Sequence, residues 1–320
     1  MRRFESLLPA LLLCLLALGS APPWNESRID AGQARLVYGT QQDEISLEDA
    51  RALLLSLVNG ERQSRRLGQL TLLPLAGRLA QEHAGEMAER RYFNHYSLAG
   101  LKCEARWNGL GGTDQVSENV TYYEIGCDVY LTPELVRKMH AEWMASKPHR
   151  ENMLKPEHTG FGAGFGIVRQ EGVTYAAGVE EFIAHYGEYS RLPEQAAPGL
   201  VLRLAGRLDP ALAVLCYVTL GVEPLPFARD ADYQMRHTGG YSPPAVFEAH
   251  LARQGVMKAD LPGVPVRRDV SLSGEDGTFA VSLPLHEGTE PGAYYVTVWA
   301  ASKADPARAF RAMTQVVLVK

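Results

Sequence analysis

From residue 46 onward, polar caps alternate with apolar positions at helical spacing. Ser46-Leu47-Glu48-Asp49 has the form of a capping box, and Leu53, Leu54, Leu57 and Val58 follow three and four apart. This predicts a helix that runs to about Arg66 and ends at Gly68. Pro74 opens a second helix from within its first turn, with Leu75, Leu79, Ala80, Ala84, Met87 and Ala88 as its buried face and its end near Arg91. A loop with Gly109, Gly111 and Gly112 follows. A third helix starts with Thr132 as N-cap and Pro133 at its first position. It carries the apolar stripe Leu135, Val136, Met139 and Trp143, and Pro148 stops it.

After His149 the period changes from helical to strand-like. Gly160–Val168 reads as a glycine-rich strand, Gln170-Glu171-Gly172 as a turn and Val173–Val179 as the returning strand. Gly162, Gly164 and Gly166 fall on one face, where a helix or another backbone can approach closely. Helices followed by a hairpin predict an α+β layered domain over 46–184. Residues 22–45 are polar and aperiodic and read as a lead-in, and the Pro/Ala-rich stretch 185–199 reads as a linker. Beyond it, 200–208, 213–220, 279–283, 294–298 and 311–319 alternate like strands. They predict an all-β, immunoglobulin-like sandwich over 200–320, with a short inserted helix from Ser242 to Arg253.

Composition adds limits. The hydrophobic share is 46% and the charged share 22%, ordinary for packed globular domains. Lys+Arg is 32 against Asp+Glu 37, so no basic excess points to nucleic acid. Arg2 and Arg3 precede the apolar run Leu7–Leu18, and Gly19-Ser20-Ala21 follow, which reads as an export signal over 1–21. The alternative is a retained N-terminal anchor, although the run is short for a bilayer span. Cleavage would leave a secreted or periplasmic chain with no transmembrane span. In an oxidising compartment Cys103 and Cys127 are expected to pair, closing a loop of roughly two dozen residues and contributing about 3 kcal/mol. Cys216 lies in an apolar strand and reads as a buried small hydrophobe.

Three polar segments stand out: Tyr92-Phe93-Asn94-His95-Tyr96-Ser97, Ser117-Glu118-Asn119-Val120 and Trp143-Met144-Ala145-Ser146-Lys147-Pro148-His149-Arg150-Glu151-Asn152-Met153-Leu154. In this order, with Gly160-Phe161-Gly162-Ala163-Gly164 after them, they resemble the CAP superfamily of cysteine-rich secretory proteins, antigen 5 and plant pathogenesis-related proteins, in its bacterial secreted form. The resemblance covers roughly residues 48–184 and implies an α-β-α sandwich. It also implies a central cleft holding two histidines, matched by His95 and His149, and an acid matched by Glu118. The position of the family's second acid is Ser146 here, and Glu142, one helical turn earlier, is the candidate substitute.

Two imidazoles and a carboxylate suit zinc or another divalent ion, with His95 and His149 as metal ligands. The bland alternative is that His95 and Glu118 only satisfy each other as buried polar groups. His140, His158 and His185 are weaker candidates, and His237, His250 and His286 lie at no ligand-like spacing. No zincin or nucleophile-elbow motif is present. Three functions compete. The first, favoured by the resemblance, is a non-catalytic secreted module binding a small lipid, sterol or glycan, or a cell-envelope component. The second is a metal-dependent hydrolase or peptidase with Glu118 as general base. The third is a structural envelope protein.

Overall fold

In a computed structural model, the described residues are 31–224, 245–250, 266–267, 277–285 and 289–320. The expected export signal at 1–21, together with His237 and His286, lies outside them.

The N-terminal layer structure is built from α1 (Ala31–Tyr38), a 3-10 turn (Gln41–Asp43), α2 (Leu47–Ser64), β1 (Thr71–Leu72), α3 (Pro74–Arg90), α4 (Cys103–Gly109), β2 (Gln115–Ile125), α5 (Pro133–Ala145), α6 (Lys147–Met153), β3 (Gly160–Gln170) and β4 (Val173–Ala184). The helix starts are set by side-chain caps. Ser46 Oγ accepts from the Asp49 N–H at 3.0 Å, and Thr132 Oγ1 accepts from the Leu135 N–H at 3.2 Å. Arg91 ends α3 in the left-handed region at φ 55°, a conformation a non-glycine residue adopts at some cost.

The four strands lie in the order β1-β3-β4-β2, which leaves β2 at an edge. Period-two alternation sends Phe161, Ala163 and Phe165 to one face, where they pack with Leu54, Val58, Leu135, Met139 and Trp143 of α2 and α5. Gly162, Gly164 and Gly166 point to the other face. A Cβ added at these glycines would fall inside contact with the Ala76, Ala80 and Ala84 backbone of α3. The missing side chains are what let α3 lie against the sheet.

The stretch at 22–45, expected to be aperiodic, contains α1 within its described part. Its Tyr38 is buried at 1% exposure, and the Tyr38 carbonyl accepts a hydrogen bond from Thr132. The pattern missed this helix because one buried aromatic anchors it instead of a periodic stripe.

The second half contains β5 (Gly187–Tyr189), β6 (Gln195–Ala196), β7 (Val201–Leu208), β8 (Ala213–Pro224), β9 (Ala245–His250), β10 (Val266–Arg267), β11 (Thr278–Pro284), β12 (Gly292–Ser302) and β13 (Asp305–Val319). Among the described residues they form one sheet in the order β10-β9-β8-β12-β13-β6 and another in the order β11-β7-β5. A single apolar core including Leu204, Phe279, Val281, Val296, Val298 and Val317 lies between them. The region is therefore all-β. β5 and β6 fall inside the expected linker, so that stretch is partly woven into the sheets. Within the expected inserted helix, Ala245–His250 is instead a strand paired to β8.

The expected Cys103–Cys127 disulfide is absent, because both cysteines are free. Cys103 packs with Ala76, Leu79 and Val116 near the start of β2, whereas Cys127 follows Ile125 at its end. A strand of this length extends roughly 35 Å, far beyond disulfide reach.

Candidate functional site

The cavity of interest lies at the free edge of β2, where segments from both faces of the sheet wrap over it. Its volume is about 480 Å³, within the range of small-ligand pockets. Phe93, Asn94 and His95 reach it from the turn after α3, and Ser117 to Val120 from β2. Pro148, His149 and Asn152 reach it from α6, with Lys155 just beyond and Arg311 arriving from β13. Three segments distant in sequence thus bring His95, Glu118 and His149 to one hollow.

Glu118 is fully enclosed and doubly engaged. His95 Nδ1–H donates to Glu118 Oε1 at 2.9 Å, and Arg106 Nη2 donates to Glu118 Oε2 at 2.6 Å and to the His95 carbonyl at 3.3 Å. Burial alone would raise this carboxyl, but the Arg106 guanidinium, with His83 and His95, holds it well below the usual carboxylate range. Behind it, burial and the Arg106 charge push His83 down to about 3, so its ring is neutral. The neutral ring donates from Nε2 to the Asn94 carbonyl at 2.8 Å. Across the strand pair Glu118 faces Glu181. Burial and the Glu118 charge push the Glu181 carboxyl well up, so it stays protonated. The carboxylate behind His95 fixes the orientation of its ring, the usual role of an acid behind a histidine.

The opposite face positions His149. Asn119 Nδ2 donates to the His149 carbonyl at 3.1 Å and to Glu180 Oε2 at 3.0 Å, and Asn119 Oδ1 accepts from Asn152 Nδ2 at 3.0 Å. These two asparagines tie α6 to the β2 edge. Burial, then the neighbouring His95, push the His149 imidazole down to about 4, so it too is neutral at pH 7. Arg62 of α2, fully buried, donates to the Met153 and Lys155 carbonyls at 2.9 Å and to the His158 carbonyl at 3.3 Å. It thereby fixes the segment that leaves α6.

Glu142 and Ser146 do not line the cavity. Glu142 accepts from Tyr123 and from Lys138 Nζ, the latter at 2.6 Å, so its carboxylate is spent on the α5 face that packs against β2. The candidate second acid is therefore not part of the site. Among the described residues no group of three or more His, Cys, Asp or Glu could hold a metal. The donor set that remains is the two imidazoles of His95 and His149. Ser117 donates to Asn152 Oδ1 at 2.9 Å and lies 3.3 Å from His158 Nε2. His140 and His185 are not among the lining residues.

Asn119 and Asn152 stood inside the quoted motifs, but nothing in the pattern marked them as the struts they are. Arg106, Lys155 and Arg311 carried no sequence signal, because an isolated cation in a loop or strand reads as a solvated one.

Residues 55–179 match the family model described as CAP, the cysteine-rich secretory protein family. Solved structures similar to the chain include an outer surface protein from Borrelia burgdorferi, at 17% identity and a TM-score of 0.36, covering 44% of this chain and 96% of that one. An extracellular protein containing an SCP domain from Bacillus anthracis is 19% identical with a TM-score of 0.33, covering 51% of this chain and 45% of that one. A cysteine-rich secretory protein from Staphylococcus aureus is 16% identical with a TM-score of 0.29, covering 45% of this chain and 41% of that one. No curated protein matches the chain. No helix among the described residues is long and apolar enough to cross a membrane.

Proposed function

We propose that this protein, whose residues 55–179 match the CAP family model, is a secreted, non-catalytic binding module that takes a small lipid, sterol or glycan into the cavity between His95 and His149. The observation that carries this reading is the cavity itself. Apolar Phe93, Val120 and Pro148 share its wall with the imidazoles of His95 and His149, a lining that suits an amphiphilic molecule. The all-β region, an immunoglobulin-like sandwich in this reading, presents the module to a cell-envelope partner, and the export signal at 1–21 delivers it there.

His95 and His149 are the residues that would hold a zinc or similar ion, which would supply a Lewis-acidic contact for a ligand oxygen. Two protein ligands bind such an ion more weakly than the three or four of dedicated sites. Hydrolysis has less support. Both Glu118 oxygens are committed to His95 and Arg106, and a carboxylate held that far down is a poor general base.

Octyl glucoside, a neutral amphiphile, is the first probe. Saturable calorimetric binding is expected for the wild type. A loss of about ten-fold or more is expected in His149→Trp, whose ring fills the cavity from a half-buried position. Equal binding in the filled variant, or none in the wild type, contradicts the reading. Equilibrium dialysis should show zinc binding only in the micromolar range or weaker, abolished in His95→Ala, and nanomolar zinc retained in that variant would remove the two-histidine site.

A further inference from the structure

The second domain reaches the cavity through one side chain, Arg311, and its aim depends on a break in strand register. β13 pairs with β12 as Met313 opposite Val298 and then Arg311 opposite Trp299, so Ala312 is an extra residue. Ala312 and Met313 are consecutive, yet both pack into the sandwich core, as expected at a bulge. C-terminal to the bulge, Val317 and Val319 share the inward face with Met313, while Thr314 and Val316 turn to the first domain. Thr314 Oγ1 donates to Gln115 Oε1 at 2.6 Å, and the Val316 N–H donates to Asn108 Oδ1 at 2.8 Å. Without the extra residue Arg311 would fall on the inward face. The bulge turns it outward, to the cavity wall.

Lys155 stands at the same wall. Its Nζ donates to Asn152 Oδ1 at 2.9 Å, while Arg62 fixes its backbone carbonyl. Lys155 and Arg311 both line the cavity, and burial, then the charge of Arg311, push the ammonium down from its ordinary value. Cations that line a partly desolvated cavity favour an anionic ligand group. Glu104 is 3.8 Å from Arg311, and Glu157 is engaged with Arg308 at 3.3 Å. Within the site, Glu118 is neutralised by Arg106 at 2.6 Å.

We propose that the Lys155–Arg311 end of the cavity receives an anionic group, a phosphate or carboxylate head, so that the binding site is completed by both domains. This rests on the reading that the cavity takes an amphiphile, and it fixes which end of that amphiphile enters where. A guanidinium and an ammonium supply several charge-assisted donors to such a head.

The test compares octyl phosphate, octyl glucoside and inorganic phosphate on the full chain. The wild type should bind octyl phosphate about ten-fold or more more tightly than octyl glucoside. Arg311→Gln and Lys155→Gln should each shrink that ratio by about five-fold or more, because octyl phosphate loses more affinity than octyl glucoside does. Lys155→Gln reads the same end from the other domain if Arg311→Gln does not fold. Inorganic phosphate binding as tightly as octyl phosphate would support the anion site and assign it to a free anion. Weaker phosphate binding supports it as a headgroup site. Equal affinity for the two octyl compounds, or an unchanged ratio in both variants, overturns the anionic end while leaving the cavity reading intact. Binding of neither octyl compound overturns both.

Discussion

Glu180, on β4 opposite Asn119 of the edge strand β2, shows how a single residue ties the site to pH. Its Oε2 accepts from Asn119 Nδ2 at 3.0 Å, while Oε1 is buried without a partner. Burial pushes this carboxyl up to about 8 from an ordinary 4.5, with the Asn119 hydrogen bond pulling it partly back. Between those values the folded chain holds a proton that the unfolded chain has released. The stability contributed by the neutral carboxyl is therefore full below about pH 4.5 and is lost as pH rises through about 8. His149 and His83 act in the opposite direction. Their folded values lie near 4 and 3, below the ordinary 6.5, so their contribution is full above 6.5 and is lost as pH falls through those folded values. Thermal stability should peak in the mildly acidic range between the two losses. Glu180→Gln keeps an acceptor for Asn119 and removes the charge. It should stabilise the protein by about 4–5 kcal/mol at pH 9 and by about 1 kcal/mol or less at pH 5, measured by denaturant unfolding at both values. The same increment at both values would show that Glu180 is not protonated in the folded state.

At the scale of elements, the site depends on α3 lying close enough to the sheet for the turn after it to carry His95 over the edge of β2. Gly164 sits opposite the Ala80 backbone with no room for a Cβ, whereas Gly60, exposed in the middle of α2, has nothing within 4 Å of an added Cβ. Gly164→Ala should cost about 2 kcal/mol or more by overpacking. Gly60→Ala should stabilise by about 0.5–1 kcal/mol through helix propensity. Urea midpoints check both, and a neutral Gly164→Ala would contradict the close seat of α3. Much at this scale was legible in the sequence. Caps at Ser46 and Thr132, Pro74 and Pro133 at helix starts, and alternating glycines on β3 all act through local rules. The failures share a different cause. α1 is held by one buried aromatic, and β9 pairs with β8 across a long stretch of chain, so neither leaves a local period to read. Glu142 lies one turn from Ser146 on α5, but whether its carboxylate reaches the cleft was decided by Tyr123 and Lys138, a tertiary matter. The proposed disulfide failed because two cysteines near in sequence sit at opposite ends of a long strand.

At the scale of the whole molecule, a mixed α/β domain and an all-β domain meet along β13 and the α4–β2 segment. Polar contacts join them: Asn108 to Val316, Gln115 to Thr314, and Lys102 Nζ to Glu223 Oε1 at 3.1 Å. Tyr96, directly after His95, also donates to Glu223, so the second domain touches the turn that carries the first cleft histidine. None of this joint was readable from the chain, because side chains that meet across it are more than a hundred residues apart and follow no shared motif. The joint makes the cavity a property of the full chain. The most direct test of where ligand binds is imidazole NMR of the full chain during an octyl glucoside titration. The rings of His95 and His149 should shift saturably and together, while His140 and His185, away from the cavity, stay fixed. Shifts confined to His140 or His185, or saturable binding that leaves His95 and His149 unmoved, would contradict the account.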